Sequence, residues 1–192
     1  MRIVGGKHRS RLLITADGKG TRPTMDKVRE AMYDRLGQWV IDKSILDLFA
    51  GSGSVALEGI SRGMSSAILV DGSVKAIEII QKNVDMLKEK EACGILRMEA
   101  TQALRYLKKQ GKSFDLIFLD PPYGKVDLEK ILHLIDQYGL LSENGYIVAE
   151  TLDEEKMPIG AYILEKKMTY GFTALHYLRR KTNVESDLSG VL

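Results

Sequence analysis

Residues 114–124, FDLIFLDPPYG, join an apolar run to one acid, two prolines and a tyrosine. Proline lacks a backbone N–H and fixes φ, so Asp120-Pro121-Pro122-Tyr123 makes a stiff loop that offers carbonyls rather than donors. The Asp120 carboxylate and the Pro121 carbonyl then present two acceptors side by side, and Tyr123 adds a flat ring for stacking. That set suits a planar group with an exocyclic NH₂, whose nitrogen is a poor nucleophile because its lone pair is delocalised. Hydrogen bonds from both N–H groups favour pyramidalisation and aim the lone pair at an electrophilic methyl, so positioning and electrostatics carry the rate. The plain alternative is a proline turn capped by an aspartate.

A second pattern lies in ILDLFAGSGSVALEG, residues 45–59. Gly51 and Gly53 let the backbone turn sharply and approach a ligand at a helix N-terminus. Gly51-x-Gly53-x-x-Ala56, with Asp71 about 20 residues on, also satisfies the loose dinucleotide fingerprint. Asp47 weighs against a dinucleotide, because a carboxylate is poorly placed beside a doubly anionic pyrophosphate. S-adenosylmethionine instead brings an ammonium, a carboxylate and a sulfonium, and an acid ending the first strand can act on the ammonium. Asp71 ends the second strand, where it can accept from both ribose hydroxyls, and Glu99 ends the third, within reach of an adenine. Plain roles stay open: Asp47 capping the loop, Asp71 in a turn before Gly72, Glu99 starting a helix. His8, His133 and His176 are scattered without ligand spacing, so no metal is expected.

These residues need a scaffold of alternating elements. Residues 2–15 read as two short strands around GGKHRS, a hairpin. The loop ADGKGTRPT leads to a helix from about Met25 to Leu36, behind Pro23 and the N-cap candidate Thr24. Apolar strands are expected at 44–50, 66–71, 93–99, 114–120 and 145–150, with helices between them, and two final strands at 162–170 and 173–181. Apolar strands separated by helices imply an α/β fold with a parallel sheet covered on both faces. Two consecutive strands at the end imply that one runs antiparallel.

Composition sets the class. The chain has 192 residues, 44% hydrophobic and 28% charged, as in a single soluble globular domain. No apolar run approaches a bilayer span, no signal-like segment opens the chain, and its single cysteine, Cys93, permits no internal disulfide; a cytoplasmic protein is expected. Residues 1–35 hold nine Lys/Arg against four Asp/Glu, whereas the remainder holds 19 against 22. A basic segment on a near-neutral body suits a polyanion, because phosphate binding is driven largely by counterion release. Lys7, Arg9, Arg11, Lys19, Arg22 and Lys27 are expected to touch RNA phosphates and orient the RNA without reading bases, with Arg179, Arg180 and Lys181 as a further track. A solvated basic hairpin is the bland alternative.

DLFAGSG followed by DPPY resembles the motif pair of S-adenosylmethionine-dependent amino methyltransferases. RIVGGKHRSRLL, TRPTMDKVREAMYDRL, LDLFAGSGSVALEGISRG and FLDPPY resemble the RsmD family of small-subunit ribosomal RNA guanine-N2 methyltransferases, from Arg2 to about Lys181. The resemblance implies a Rossmann-like class I methyltransferase fold, with a mostly parallel seven-stranded sheet, helices on both faces and an N-terminal β-hairpin. It implies one domain over 1–181, with a basic hairpin and lid at 1–23, a catalytic core at 24–181 and a loose tail at 182–192. Asp47, Phe49, Gly51 and Gly53 would border the methionine end of the cofactor, Asp71 the ribose, and Glu99 and Ala100 the adenine side. Asp120, Pro121, Pro122 and Tyr123 would hold the guanine, and Arg22, Pro23 and Thr24 would form a lid near the cofactor carboxylate and the RNA. The partner would be 16S rRNA or a small-subunit assembly intermediate, and the enzyme a monomer. Asp71 stands where the family often has Glu, and Glu99-Ala100 where it often has Asp-Ala; both keep the charge.

Competing readings differ in what they leave without a role. A DNA adenine-N6 methyltransferase shares both motifs but carries a target-recognition region for which 192 residues leave no room. A protein glutamine methyltransferase generally has Asn in place of Asp120. An RNA-binding scaffold leaves the acids idle, and a nicotinamide-dependent dehydrogenase gives no role to DPPY or the basic segment.

Overall fold

The computed structural model describes residues 1–16, 23–122 and 124–181, without the side chains of residues 23–25. Seven strands form one sheet: β1 Ser44–Asp47, β2 Ser66–Asp71, β3 Cys93–Arg97, β4 Phe114–Leu119, β5 Leu141–Leu152, β6 Tyr162–Tyr170 and β7 Thr173–Arg180. Their order is β3-β2-β1-β4-β5-β7-β6. The pairs joining β3 through β5 are parallel, and β7 runs antiparallel to both neighbours, as the two consecutive terminal strands imply.

Five helices cover it: α1 Pro23–Leu36, α2 Ser54–Ser61, α3 Val74–Leu87, α4 Ala100–Lys109 and α5 Leu128–Gln137. Alternation along each strand divides the core. Ile45, Leu116, Phe118 and Val148 pack with α1, α2 and α3 on one face, while Leu46, Ile117, Leu119 and Ile147 pack with α4 and α5 on the other. Local signals set the helix starts: Ser73 accepts from the Ala76 N–H at 3.4 Å, and Asp127 accepts from the Lys130 N–H at 3.0 Å. At its far end α3 closes on Lys88 in the left-handed region, φ 60°.

The expected N-terminal hairpin forms with little strand. Its arms meet antiparallel at one bridge, Arg2 to Leu12, and residues Gly6–His8 wind into a 3₁₀ turn at the tip. The reason lies in the core. The Val4 and Gly5 N–H groups donate to the Glu58 carboxylate, each at 2.8 Å, and the Ile14 N–H donates to Asn83 Oδ1 at 2.8 Å. Backbone groups that would extend a ladder are bonded to buried side chains of α2 and α3 instead. β1 is also shorter than the expected 44–50, because the chain leaves the strand at Asp47 to form the glycine loop, with the Ala50 N–H on the Val70 carbonyl at 2.9 Å.

Candidate active site

The chain builds strands outward from β1 to β3, then returns to place β4 on the other side of β1. Open α/β sheets bind ligands outside the strand C-termini at such a reversal. The glycine loop after β1 and the Asp120-Pro121-Pro122 turn after β4 therefore open side by side. Two cavities meet there. A groove of about 540 Å³ runs from Gly51 past Asp71 and Glu99 to Asp120 and Pro121. A smaller one of about 130 Å³ lies under Phe49, Gly51 and Asp120 and continues to Asp47, Arg29 and Glu150.

Local geometry fits each loop residue to its place. Gly53 has φ 78° at the head of α2, and a Cβ there would lie 2.8 Å from Leu69 Cδ2, so both conformation and space require glycine. Gly51 has φ 55° and faces open space. Its N–H donates to Asp71 Oδ2 at 2.9 Å, while Asp71 Oδ1 accepts from the Ser73 N–H at 2.8 Å. An ionised carboxylate has about four acceptor sites, so Asp71 is fixed in place yet keeps lone pairs for a diol. A Cβ on Gly72 would run into Glu99 Oε1, so the bare backbone there leaves room for the Glu99 carboxylate at the groove wall.

The carboxylates are electrostatically loaded. Asp47 is 1% exposed; one oxygen accepts from the Ala56 N–H at 3.3 Å, and the other has no partner among the described residues. Burial, opposed by the Ala56 N–H and reinforced by the charges of Asp120 and Asp71, pushes its carboxyl up to about 7. Burial pushes Asp120 up to about 6. Burial and the Asp120 charge push Glu150 up to about 7. Three acids facing one cavity on a single sheet face favour a ligand that brings positive charge and N–H donors.

The chain matches a family model described as conserved hypothetical protein 95 over residues 1–179. It is 32% identical to the ribosomal RNA small subunit methyltransferase D of Escherichia coli (strain K12), covering 97% of this chain and 93% of that protein. The chain belongs to the RsmD family. It is also 38% identical to the protein YlbH of Bacillus subtilis (strain 168), over 94% of this chain and all of that one. The solved structure of the methyltransferase yhhF from Escherichia coli superposes with a TM-score of 0.83 at 30% identity, covering 94% of this chain and 98% of that one.

In this RsmD-family fold, Asp47, Phe49, Gly51, Asp71, Glu99, Ala100, Asp120 and Pro121 line the two joined cavities. Asp47 and Asp71 end β1 and β2, whereas Glu99, expected to end the third strand, lies two residues beyond β3 at the start of α4. Gly53 lies behind them as the cap of α2. Lys19, Arg22 and Tyr123, the side chain of Thr24 and the tail 182–192 lie outside the described residues. Arg9 and Arg11 are exposed on the N-terminal segment, whereas Lys7 pairs with Glu89 at 2.7 Å. Arg179 lies 3.7 Å from Glu165, and Arg180 3.7 Å from Asp136.

Four residues escape the motif reading. Glu150 ends the fifth strand as the sequence reads it, 145–150, although β5 runs on to Leu152, so the strand-end signal that marked Asp47 and Asp71 would have found it. Arg29, Glu58 and Asn83 act through contacts distant in sequence. Glu58, fully buried, accepts from Arg29 Nε at 3.3 Å and Arg62 Nε at 2.8 Å as well as from the N-terminal segment. The Asn83 amide donates to Ile14 O at 3.0 Å and Ser52 O at 2.9 Å, tying that segment to the glycine loop.

Proposed function

We propose that this chain transfers a methyl group from S-adenosylmethionine to ribosomal RNA, and that the acceptor is the N2 amine of a guanine in small-subunit 16S rRNA. The observation that carries the reading is that Asp120 borders both cavities that the glycine loop opens, with Pro121 and Pro122 beside it in the larger groove. The E. coli relative is a ribosomal RNA small subunit methyltransferase.

The residues present fit the cofactor. The unpartnered Asp47 oxygen, buried beneath the loop, would take its ammonium directly or through water. Asp71 would take the ribose hydroxyls, and Glu99 with Ala100 would border the adenine. When bound, the cofactor supplies an electrophilic methyl on a sulfonium. Asp120 and the Pro121 carbonyl would accept the two N–H bonds of the amine and turn its lone pair out of the ring plane. Asp120, with its carboxyl near 6, is also placed to take the proton that the methylated nitrogen releases. A guanine amine inside a duplex cannot reach this cleft, so the target nucleotide is unpaired or flipped out. Tyr123 would stack on the base, with about 1–3 kcal/mol lost on truncation.

The test is Asp120→Ala. Turnover falls by about 10²–10³-fold or more, while calorimetric titration shows cofactor affinity within a few-fold of wild type. Retained turnover overturns the role given to Asp120. Loss of cofactor binding together with turnover moves Asp120 from the amine to the cofactor.

A further inference from the structure

The β4–β5 register places a second acid beside Asp120. Leu119 pairs with Ala149 in parallel, so the next positions, Asp120 just past the end of β4 and Glu150 still within β5, lie side by side. Side chains alternate along a strand, so both share the face of Phe118 and Val148, and neighbouring strands lie about 4.8 Å apart. The two residues thus line one cavity. Glu150 also borders the adjoining cleft of about 280 Å³ beside Pro121, Pro122 and Gly124, so it faces the base side of the site. No cation among the described residues offsets its burial.

We infer that Glu150 is the specificity-determining residue of this site, accepting the guanine N1–H beside the amine held by Asp120 and Pro121. The inference rests on the guanine-N2 reading above. Guanine offers three N–H bonds along this edge, one on N1 and two on N2, and Asp120, the Pro121 carbonyl and Glu150 are three acceptors. Adenine presents a lone pair at N1, which an ionised Glu150 repels. So does 2-aminopurine, although it keeps the N2 amine. A site built to hydrogen-bond a substrate N–H rejects analogues lacking it far more strongly than one relying on apolar contact. The same acid therefore selects guanine without touching the reacting nitrogen.

The experiment compares kcat/KM at pH 8, where Glu150 is ionised, on small subunits reconstituted with guanine or with 2-aminopurine at the methylated position. The wild type is expected to favour guanine by at least about 100-fold. In Glu150→Gln the amide oxygen still accepts from guanine N1–H and the amide N–H donates to 2-aminopurine N1. The preference then falls below about 10-fold, chiefly through a gain on 2-aminopurine, which a merely structural role would not produce. A wild-type ratio near one overturns the inference without any variant, as does a ratio unchanged by Glu150→Gln. Wild-type enzyme that yields no N2-methylguanine overturns the underlying reading as well, and is distinguished by its failure on guanine itself.

Discussion

Asp47 is held in a state that favours ligand over empty protein. Its carboxyl titrates near 7 in the fold against an ordinary 3.8, chiefly because it is buried. Between about pH 4 and 7 the folded chain therefore holds a proton that the unfolded chain has released, and stability without cofactor falls as pH rises through that window. Asp120 and Glu150, also raised, act in the same direction. Asp47→Asn should raise stability without cofactor at pH 8 by about 1–3 kcal/mol relative to wild type, with little gain at pH 4, and should weaken cofactor binding. Urea unfolding at both pH values with a cofactor titration checks this; equal effects at both pH values would remove the charge from the explanation. Conversely, cofactor affinity in the wild type should rise from pH 5 to 8 as the ammonium draws Asp47 into its ionised form. The strand-end acids were legible in the sequence because residue type and position coincide. The missing partner of one Asp47 oxygen was not, since it depends on what α2 and the N-terminal segment leave unfilled.

At the scale of elements, α2 is the joint between the glycine loop and the N-terminal segment. Glu58 collects the Val4 and Gly5 N–H groups and two guanidiniums, and Arg29 adds a bond to Arg2 O at 2.5 Å and one to Asp26 at 3.0 Å. Removing one partner of a buried ionic cluster strands the remaining charges. Glu58→Ala should cost about 3–5 kcal/mol and speed amide exchange at Val4 and Gly5 before the sheet opens. Unchanged exchange there would show that the segment is held by its apolar anchors, Ile3 and Leu13, instead. The contrast with the sheet is instructive. The strands β2, β4, β6 and β7 follow from local apolar pattern to within a residue, because each is a contiguous run bounded by turn residues. The N-terminal segment does not, because the Val4, Gly5 and Ile14 N–H groups bond to Glu58 and Asn83, 53 or more positions away.

For the whole molecule, the basic excess of residues 1–35 concerns association rather than fold. Arg9 and Arg11 are exposed, whereas the Lys7 charge is already compensated by Glu89. Replacing Arg9 and Arg11 by Ser should reduce the slope of log K against log salt for RNA binding by about 0.7–0.9 per charge, and Lys7→Ser should change it less. Filter binding across a salt series measures the slopes; equal slopes in all variants would return these cations to a solvated surface. Among the described residues, no helix is long and apolar enough to cross a membrane, and no cluster of His, Cys, Asp and Glu could hold a metal ion.

The reaction proposed for the cleft between the glycine loop and Asp120 is methylation of the N2 amine of a guanine in 16S rRNA. The direct measurement incubates the purified protein and labelled S-adenosylmethionine with small ribosomal subunits lacking this modification, then digests the RNA and identifies the labelled nucleoside by mass spectrometry. N2-methylguanosine is the result expected. Label in N6-methyladenosine, or cofactor binding with no label in the RNA, would contradict the account.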